Sequence, residues 1–131
     1  MANLKTHAED CKRHIGDEMW EVHKFFDQHA EVFPIQVFYD YHRTFLHNSY
    51  GLTIVCNRWG EKGRIAGTLH LVRDWWEGPF VRGKKNWTYE EIESKLPKVL
   101  VWFNKLRSTY EPMPFMIKAW NNTGLVAISQ E

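Results

Sequence analysis

The chain has 131 residues, the size of one domain, so we expect a single domain over residues 1–131. Seventeen basic residues against sixteen acidic ones leave a formal net charge of +1, which gives no global electrostatic preference for nucleic acid or membranes. Hydrophobic residues make up 44% of the chain and charged residues 25%, an ordinary globular composition that excludes a disordered chain.

Cysteine usage and hydropathy indicate the compartment. Cys11 and Cys56 are too few for a disulfide framework, and free thiols suit a reducing environment. No apolar run approaches the roughly 18 residues that a membrane span needs. The N-terminal stretch MANLKTHAEDCKRH lacks the apolar segment of a secretion signal. We therefore expect a cytoplasmic protein.

A first helix is predicted over residues 4–15, ended by Gly16-Asp17. His7, Cys11 and His14 follow at i, i+4 and i+7 and share one face of this helix. Imidazole and thiolate are zinc-type ligands. Because Cys11 is also part of the sparse apolar seam, we interpret it as a packing residue and the two histidines as surface or seam residues.

A second helix is predicted over residues 18–30, with Asp17 as its cap. Its buried stripe includes Met19, Val22 and Phe26. His23 and Asp27 lie one turn apart on the flank of that stripe.

A third helix is predicted from about residue 35, after the break at Pro34. His42 falls inside the apolar stripe of this helix. The polar residues Asp40, Arg43 and His47 form a separate stripe. His42 and His47 are about 140° apart around a helix, so the two do not aim at one small ion unaided.

Residues 51–76 allow two interpretations. LTIVCN is β-prone and GTLHLV alternates, which predicts a hairpin over about 52–72. The rival interpretation continues the third helix to Trp59 and places a short helix over 64–76, with His70 and Asp74 on one face. We favour the helical interpretation, and the hairpin stays open as the alternative.

The C-terminal third is predicted to contain a helix and a hairpin. Thr88 and Glu91 form a capping box, and the helix that follows must bend or restart at Pro97. PFMIKAW and LVAISQ flank a four-residue turn, NNTG, which is typical of a β-hairpin. The predicted fold is thus mainly α, a helical bundle with a C-terminal β-hairpin, or α+β if a second hairpin forms at 52–72. The side chains predicted to be buried are Phe26, Phe38, Phe45, Trp76 and Trp102.

Histidines and carboxylates recur on three consecutive segments, whereas GxSxG, P-loop, GxGxxG, HExxH and CxxC motifs are missing from the sequence. A divalent metal in a helical bundle takes inward-facing His and carboxylate ligands from several helices. The candidate ligands are His23, Asp27, His47, His70 and Asp74. The residues expected to orient them are Asp40, His42 and Arg43. The alternative is that these groups are polar pairs on helix flanks, such as Arg43 with Asp40, and that no metal is bound.

The same residues carry a resemblance to a protein family. HKFFD at 23–27, HRTFLHNSYG at 42–51 and HLVRD at 70–74 resemble the motifs HxxFDxxK, HRxxxHxxxG and GEQHVxED of an uncharacterised family of small phage and bacterial proteins. The resemblance covers residues 5–76 and implies a helical 64–74 but no known activity. This sequence departs from the family pattern at two places. It has Ala30 where the family has lysine, and Gly67-Thr68-Leu69 where the family has GEQ. The positions it singles out are His23, Asp27, His42, Arg43, His47, Gly51, His70 and Asp74.

Two functional classes follow from these observations, and whether the protein is an enzyme stays open. The first is a domain that binds one divalent transition metal, such as a hydrolase whose ion activates water with a carboxylate as base. The second is a non-enzymatic, phage-type accessory protein that binds a protein or nucleic acid through an aromatic and basic loop. The residues assigned to that surface are Trp75, Trp76, Phe80, Arg82, Lys84 and Lys85.

Overall fold

Four α-helices make up the regular structure of the part of the chain that the computed structural model describes, residues 4–27, 46–77 and 86–109, with side chains as far as residue 105. In chain order they are α1 (Leu4–Ile15), α2 (Trp20–Asp27), α3 (Ser49–Trp76) and α4 (Tyr89–Thr109). Helix α3 contacts each of the other three, and α1 and α2 also contact each other. The long α3 is therefore the element on which the rest of the described bundle packs.

The predicted combination of helices with β-hairpins is corrected by this structure, because the described ranges contain helices and no strand. The alternative hairpin over 52–72 is wrong, since α3 runs through that stretch. Its β-prone residues form helix because packing against the other helices outweighs local β propensity: Val55 is buried, and so is every residue from 66 to 72. The hairpin predicted from PFMIKAW and LVAISQ lies outside the described residues.

Helix α1 has the predicted bounds, and α2 starts slightly later than predicted. Gly16 follows α1 with φ 74°, a left-handed conformation that ends helices, and its amide donates to the carbonyl of Lys12 at 3.0 Å. The carboxylate of Asp17 accepts from the amide of Met19 at 3.1 Å, just ahead of α2. This short connection places the two helices side by side on α3.

Helix α3 begins with a side-chain cap and is interrupted by a kink. Asn48 precedes it, and its side chain accepts from the amide of Gly51 at 3.0 Å. Gly60 has φ 69° and ψ −151°, so α3 consists of two helical pieces that meet at this residue. The second piece is the one that carries His70 and Asp74.

Helix α4 begins at the predicted capping residues. The amide of Glu91 donates to the Thr88 hydroxyl at 3.2 Å. The helix then runs through Pro97 as one element, where the sequence predicted a bend or a restart. Arg64 donates to Glu93 at 2.9 Å and joins α4 to α3.

The core lies where α3 meets the other helices. Of the side chains predicted to be buried, Phe26 and Trp76 are buried and Trp102 is partly buried against the core. Phe38 and Phe45 lie outside the described residues. No helix in the described ranges has both the length and the apolar character needed to cross a membrane.

Candidate metal centre

Six polar side chains from three helices and one turn converge inside the bundle. Helix α1 supplies His7, α2 supplies His23 and Asp27, the turn before α3 supplies His47, and α3 supplies His70 and Asp74. All but Asp27 are buried, and the Asp27 side chain is 18% exposed. Among the described residues these side chains form two groups that could hold a metal ion, and His70 belongs to both groups.

The first group consists of two imidazoles and two carboxylates, and we call it the His₂Asp₂ group. Nε2 of His47 lies 2.9 Å from Oδ2 of Asp74 and 3.7 Å from Oδ1 of Asp27. Nε2 of His70 lies 3.4 Å and 3.3 Å from the same two oxygens. Each imidazole nitrogen thus faces both carboxylate oxygens, and the four atoms enclose one small space.

The second group consists of the three imidazoles of His7, His23 and His70, and we call it the His₃ group. Nδ1 of His23 lies 3.0 Å from Nδ1 of His70. The His7 ring stacks on the His70 ring with centroids 3.6 Å apart and planes at 16°. The nitrogens of His70 therefore face different partners, with Nε2 toward the carboxylates and Nδ1 toward His23.

Further contacts orient these side chains. Nε2 of His7 lies 3.1 Å from Oδ1 of Asp74, the carboxylate oxygen that does not face His47. Sγ of Cys11 lies 3.2 Å from Nε2 of His23. A side chain that contacts a metal-binding histidine or carboxylate on the side away from the metal fixes its orientation. His7 and Cys11 of α1 therefore orient Asp74 and His23.

Aromatic side chains enclose the site. Phe26 stacks on His70 with ring centroids 5.0 Å apart, and it meets His47 edge-on at 5.6 Å. Phe103 of α4 lies against His47 at 5.2 Å. These fully buried rings keep water away from the imidazoles, which strengthens every electrostatic interaction in the site.

Two glycines of α3 allow this close approach. A Cβ added at Gly67 would lie 3.1 Å from a ring carbon of Phe26, so the bare backbone makes room for the ring that stacks on His70. A Cβ at Gly51 would lie 1.9 Å from the carbonyl oxygen of Leu46. The glycine therefore lets the chain turn tightly at His47 and point that side chain inward.

Burial and opposite charge set the protonation of the His₂Asp₂ group. Burial alone would lower the pKa of His70, but Asp27 and Asp74 outweigh burial and raise this pKa to about 9. Burial alone would also raise the pKa of both carboxyls. The neighbouring His70 nevertheless holds the pKa of Asp27 below its usual range. The contacts of Asp74 with His7, His47 and His70 do the same for the pKa of Asp74. Burial lowers the pKa of His47 to about 3. At neutral pH the group without a metal thus contains two carboxylates, one imidazolium and one neutral imidazole.

The same reasoning fixes the protons between His70, His23 and Cys11. Burial lowers the pKa of His23 to about 2, so its ring is neutral. The His70 imidazolium donates from Nε2 to Asp27 and from Nδ1 to Nδ1 of His23. His23 then carries its one proton on Nε2 and donates it to the sulfur of Cys11.

The structure brings the five predicted ligands together, but it does not place them equivalently. Asp27, His47, His70 and Asp74 form the His₂Asp₂ group, whereas His23 lies on the far side of His70 in the His₃ group. The predicted orienting residues Asp40, His42 and Arg43 lie outside the described residues.

Of the residues assigned to a partner surface, two can be placed. Trp76 is buried. The centroid of its ring lies 5.1 Å from that of Trp87, and the guanidinium carbon of Arg73 lies 4.6 Å from the Trp76 centroid. Trp75 is partly buried, and the Lys98 ammonium lies 5.9 Å from its ring. Trp76 therefore packs inside the bundle and is not exposed to a partner. The remaining four, Phe80, Arg82, Lys84 and Lys85, lie outside the described residues.

His7 was missed as a site residue. Its sequence interpretation is a surface or seam residue, and of these two the structure gives the seam, since only 1% of His7 is exposed; it also contacts Asp74. The available signal was the shared helical face of His7 and Cys11, both of which contact the histidine cluster. Cys11 is fully buried, as expected of a packing residue, and it also touches His23. His14, the third residue of that face, is half-buried and belongs to neither ligand group.

Comparisons of the chain with protein-family models, with curated proteins and with solved structures found no match. The resemblance of its motifs to the family of small phage and bacterial proteins therefore stays a prediction.

Proposed function

We propose that this protein binds one divalent transition-metal ion through Asp27, His47, His70 and Asp74. The observation that carries the proposal is the spacing of the four ligand atoms. Zinc lies about 2.0–2.2 Å from its nitrogen and oxygen ligands, so the edge of its tetrahedron measures about 3.3–3.6 Å. The four nitrogen–oxygen distances in the group run from 2.9 to 3.7 Å and bracket that length.

The ligand types favour a transition metal over Mg²⁺ or Ca²⁺. Magnesium and calcium prefer an all-oxygen shell, whereas imidazole suits zinc, iron, nickel and copper. Two carboxylates also bring two negative charges, and a single imidazolium at His70 leaves one of them uncompensated. A dication that replaces the proton on Nε2 of His70 removes that imbalance inside a buried site.

Four protein ligands complete the tetrahedral shell of zinc, and closed shells are typical of structural zinc sites. The ion would join α2, the turn at His47 and the last two turns of α3. We therefore propose that the ion stabilises the fold. A hydrolytic role would require a fifth, water-filled position, and the partly exposed Asp27 marks the side on which water could enter.

The test is metal analysis of the purified protein, followed by titration of chelator-treated protein with Zn²⁺ and Co²⁺. We expect a stoichiometric ion bound in the His₂Asp₂ group, and a Co²⁺ visible spectrum of the intense tetrahedral type. The weak bands of six-coordinate Co²⁺ would instead support water positions and the hydrolytic role.

The matched variants are Asp74→Asn and Asp10→Asn. Both remove a buried carboxylate charge, but Asp10 contacts Arg13 and Arg73 and belongs to neither ligand group. Asp74→Asn should weaken Zn²⁺ binding at least 100-fold, while Asp10→Asn should leave it unchanged. Equal Zn²⁺ affinity in the wild type and the folded Asp74→Asn protein would overturn the proposal.

A further inference from the structure

The imidazole of His70 takes part in two ligand groups through its two nitrogens. Nε2 lies 3.3 Å from Oδ1 of Asp27 and 3.4 Å from Oδ2 of Asp74, within the His₂Asp₂ group. Nδ1, on the other side of the ring, lies 3.0 Å from Nδ1 of His23. An imidazole ring has one in-plane lone pair at each nitrogen once its protons are removed, so it can bind one metal ion on each side.

His7, a member of the His₃ group, has one nitrogen without a hydrogen-bond partner among the described residues. Its Nε2 contacts Asp74, but its Nδ1 is buried and has no hydrogen-bond partner among the described residues. Only 1% of His7 is exposed, so bulk water does not reach this nitrogen. A buried polar atom without a partner costs free energy, and a metal ion would satisfy it.

Within the His₃ group, His23 is held in an orientation that directs one of its nitrogens at His70. Cys11 contacts Nε2 of His23 and thereby leaves Nδ1 of that ring directed at His70. The ligand atoms of His7, His23 and His70 lie within 4.8 Å of one another. Three imidazoles are a typical ligand set for Zn²⁺ and Cu²⁺.

Resting on the metal site proposed above, we infer that a second metal ion binds to the His₃ group and that the His70 imidazolate bridges the two ions. The first ion takes the place of the proton on Nε2 of His70, and the second takes the place of the proton on Nδ1. Both protons leave to solvent, and no oxidant or reductant is involved. The two carboxylates and the imidazolate supply three negative charges against the four positive charges of two dications.

The second ion requires one local movement. The rings of His7 and His70 are stacked with planes at 16°, so their in-plane lone pairs run nearly side by side. The His7 ring must tilt to direct Nδ1 at an ion that also binds Nδ1 of His70.

The experiment is a titration of chelator-treated protein with Cu²⁺ and, separately, Zn²⁺, with the stoichiometry measured after removal of weakly bound ions. We expect two ions per wild-type chain and one per chain for His7→Gln and for His23→Gln. The matched control is His14→Gln, which changes another histidine of α1 that belongs to neither group and should keep two ions.

Electron paramagnetic resonance of the wild type tests the bridge without any variant. Two Cu²⁺ ions joined by an imidazolate are magnetically coupled, so their signal should fall well below that of two isolated ions. His7→Gln loaded with Cu²⁺ should give the full signal of one ion.

The outcomes separate this inference from the metal site on which it rests. One ion in both the wild type and His7→Gln would overturn the second ion and leave the His₂Asp₂ site standing. Two ions that persist in both His7→Gln and His23→Gln, or two uncoupled Cu²⁺ ions in the wild type, would also overturn it. No bound ion in the wild type would overturn both proposals.

Discussion

Nε2 of His47 lies 2.9 Å from Oδ2 of Asp74, although 27 residues separate the two in the chain. His47 lies in the turn that precedes α3, and Asp74 lies near the other end of that 28-residue helix. A straight helix of this length would hold its two ends about 40 Å apart, so the chain must reverse direction at the Gly60 kink for both side chains to reach the same space. This contact defines one edge of the proposed metal site.

If the site holds an ion, chelation should destabilise the protein. A ligand that binds only the folded state at about 1,000 times its Kd adds about 4 kcal/mol of stability. For a domain of this size that corresponds to a fall in Tm of about 10 °C or more on chelation. Differential scanning calorimetry of the metal-loaded wild type, with and without excess chelator, measures the shift.

His47→Ala should remove most of this sensitivity to chelator, because it deletes a ligand. Lys62→Ala is the control, since Lys62 is exposed on α3 and forms a surface ion pair with Asp17 at 3.9 Å. An identical chelator-induced shift in His47→Ala and in the wild type would exclude His47 as a ligand.

Without metal, the protein should be most stable near pH 6.5. The pKa of His70 is raised to about 9, so its contribution is fully present below pH 6.5 and is lost as the pH rises toward 9. The pKa values of His23 and His47 are lowered to about 2 and about 3, so the folded state resists protonation that the unfolded chain accepts below about pH 6.5. The two groups together should cost roughly 1–2 kcal/mol of stability between pH 6.5 and 5.5.

Urea unfolding of chelator-treated protein at several pH values tests this profile. Replacing His70 by Gln should abolish the loss of stability above pH 6.5. The loss of stability below pH 6.5, which comes from His23 and His47, should remain. A stability that rises steadily from pH 6 to pH 9 in the metal-free wild type would contradict the assigned imidazolium.

Phe26 should be among the most important core residues. It is fully buried, stacks on His70 and packs against the bare backbone of Gly67. Phe26→Ala should lower the free energy of unfolding by about 3–5 kcal/mol, because it leaves a cavity beside the site. Val101→Ala, at a position that is 54% exposed, should stay within about 0.5 kcal/mol of the wild type in the same denaturant titration.

Gly51→Ala should destabilise the turn that carries His47. The new Cβ would lie 1.9 Å from the carbonyl oxygen of Leu46, a backbone atom that cannot move aside like a flexible side chain. We expect a loss of about 1–3 kcal/mol and a weaker metal affinity, since the turn positions a ligand. Ser49→Ala, two residues earlier and exposed, should change neither quantity, and a Gly51→Ala protein with wild-type stability would show that the turn tolerates a side chain.

Local patterns in the sequence determined several features of the site. The pairs His23/Asp27 and His70/Asp74 lie one turn apart because side chains at i and i+4 share a helical face. The bounds of α1, the capping residues Thr88 and Glu91, and the burial of Phe26 and Trp76 also follow from spacing and residue type. These features depend on residues within a few turns of one another, and such short-range relations can be worked out from the order of the residues.

Only the tertiary structure decided which of these groups meet and which atoms they present. His7 and Asp74 are 67 residues apart, and no local pattern indicates their contact at 3.1 Å. The two ring nitrogens of His70 contact different groups, Nε2 the carboxylates and Nδ1 the ring of His23, and these contacts depend on the packing of α1 and α2 against α3. The same packing made residues 52–72 helical although their local preference allows a strand. Long-range packing overrides local preference here because burying α3 against three helices contributes more free energy than the choice between helix and strand at single residues.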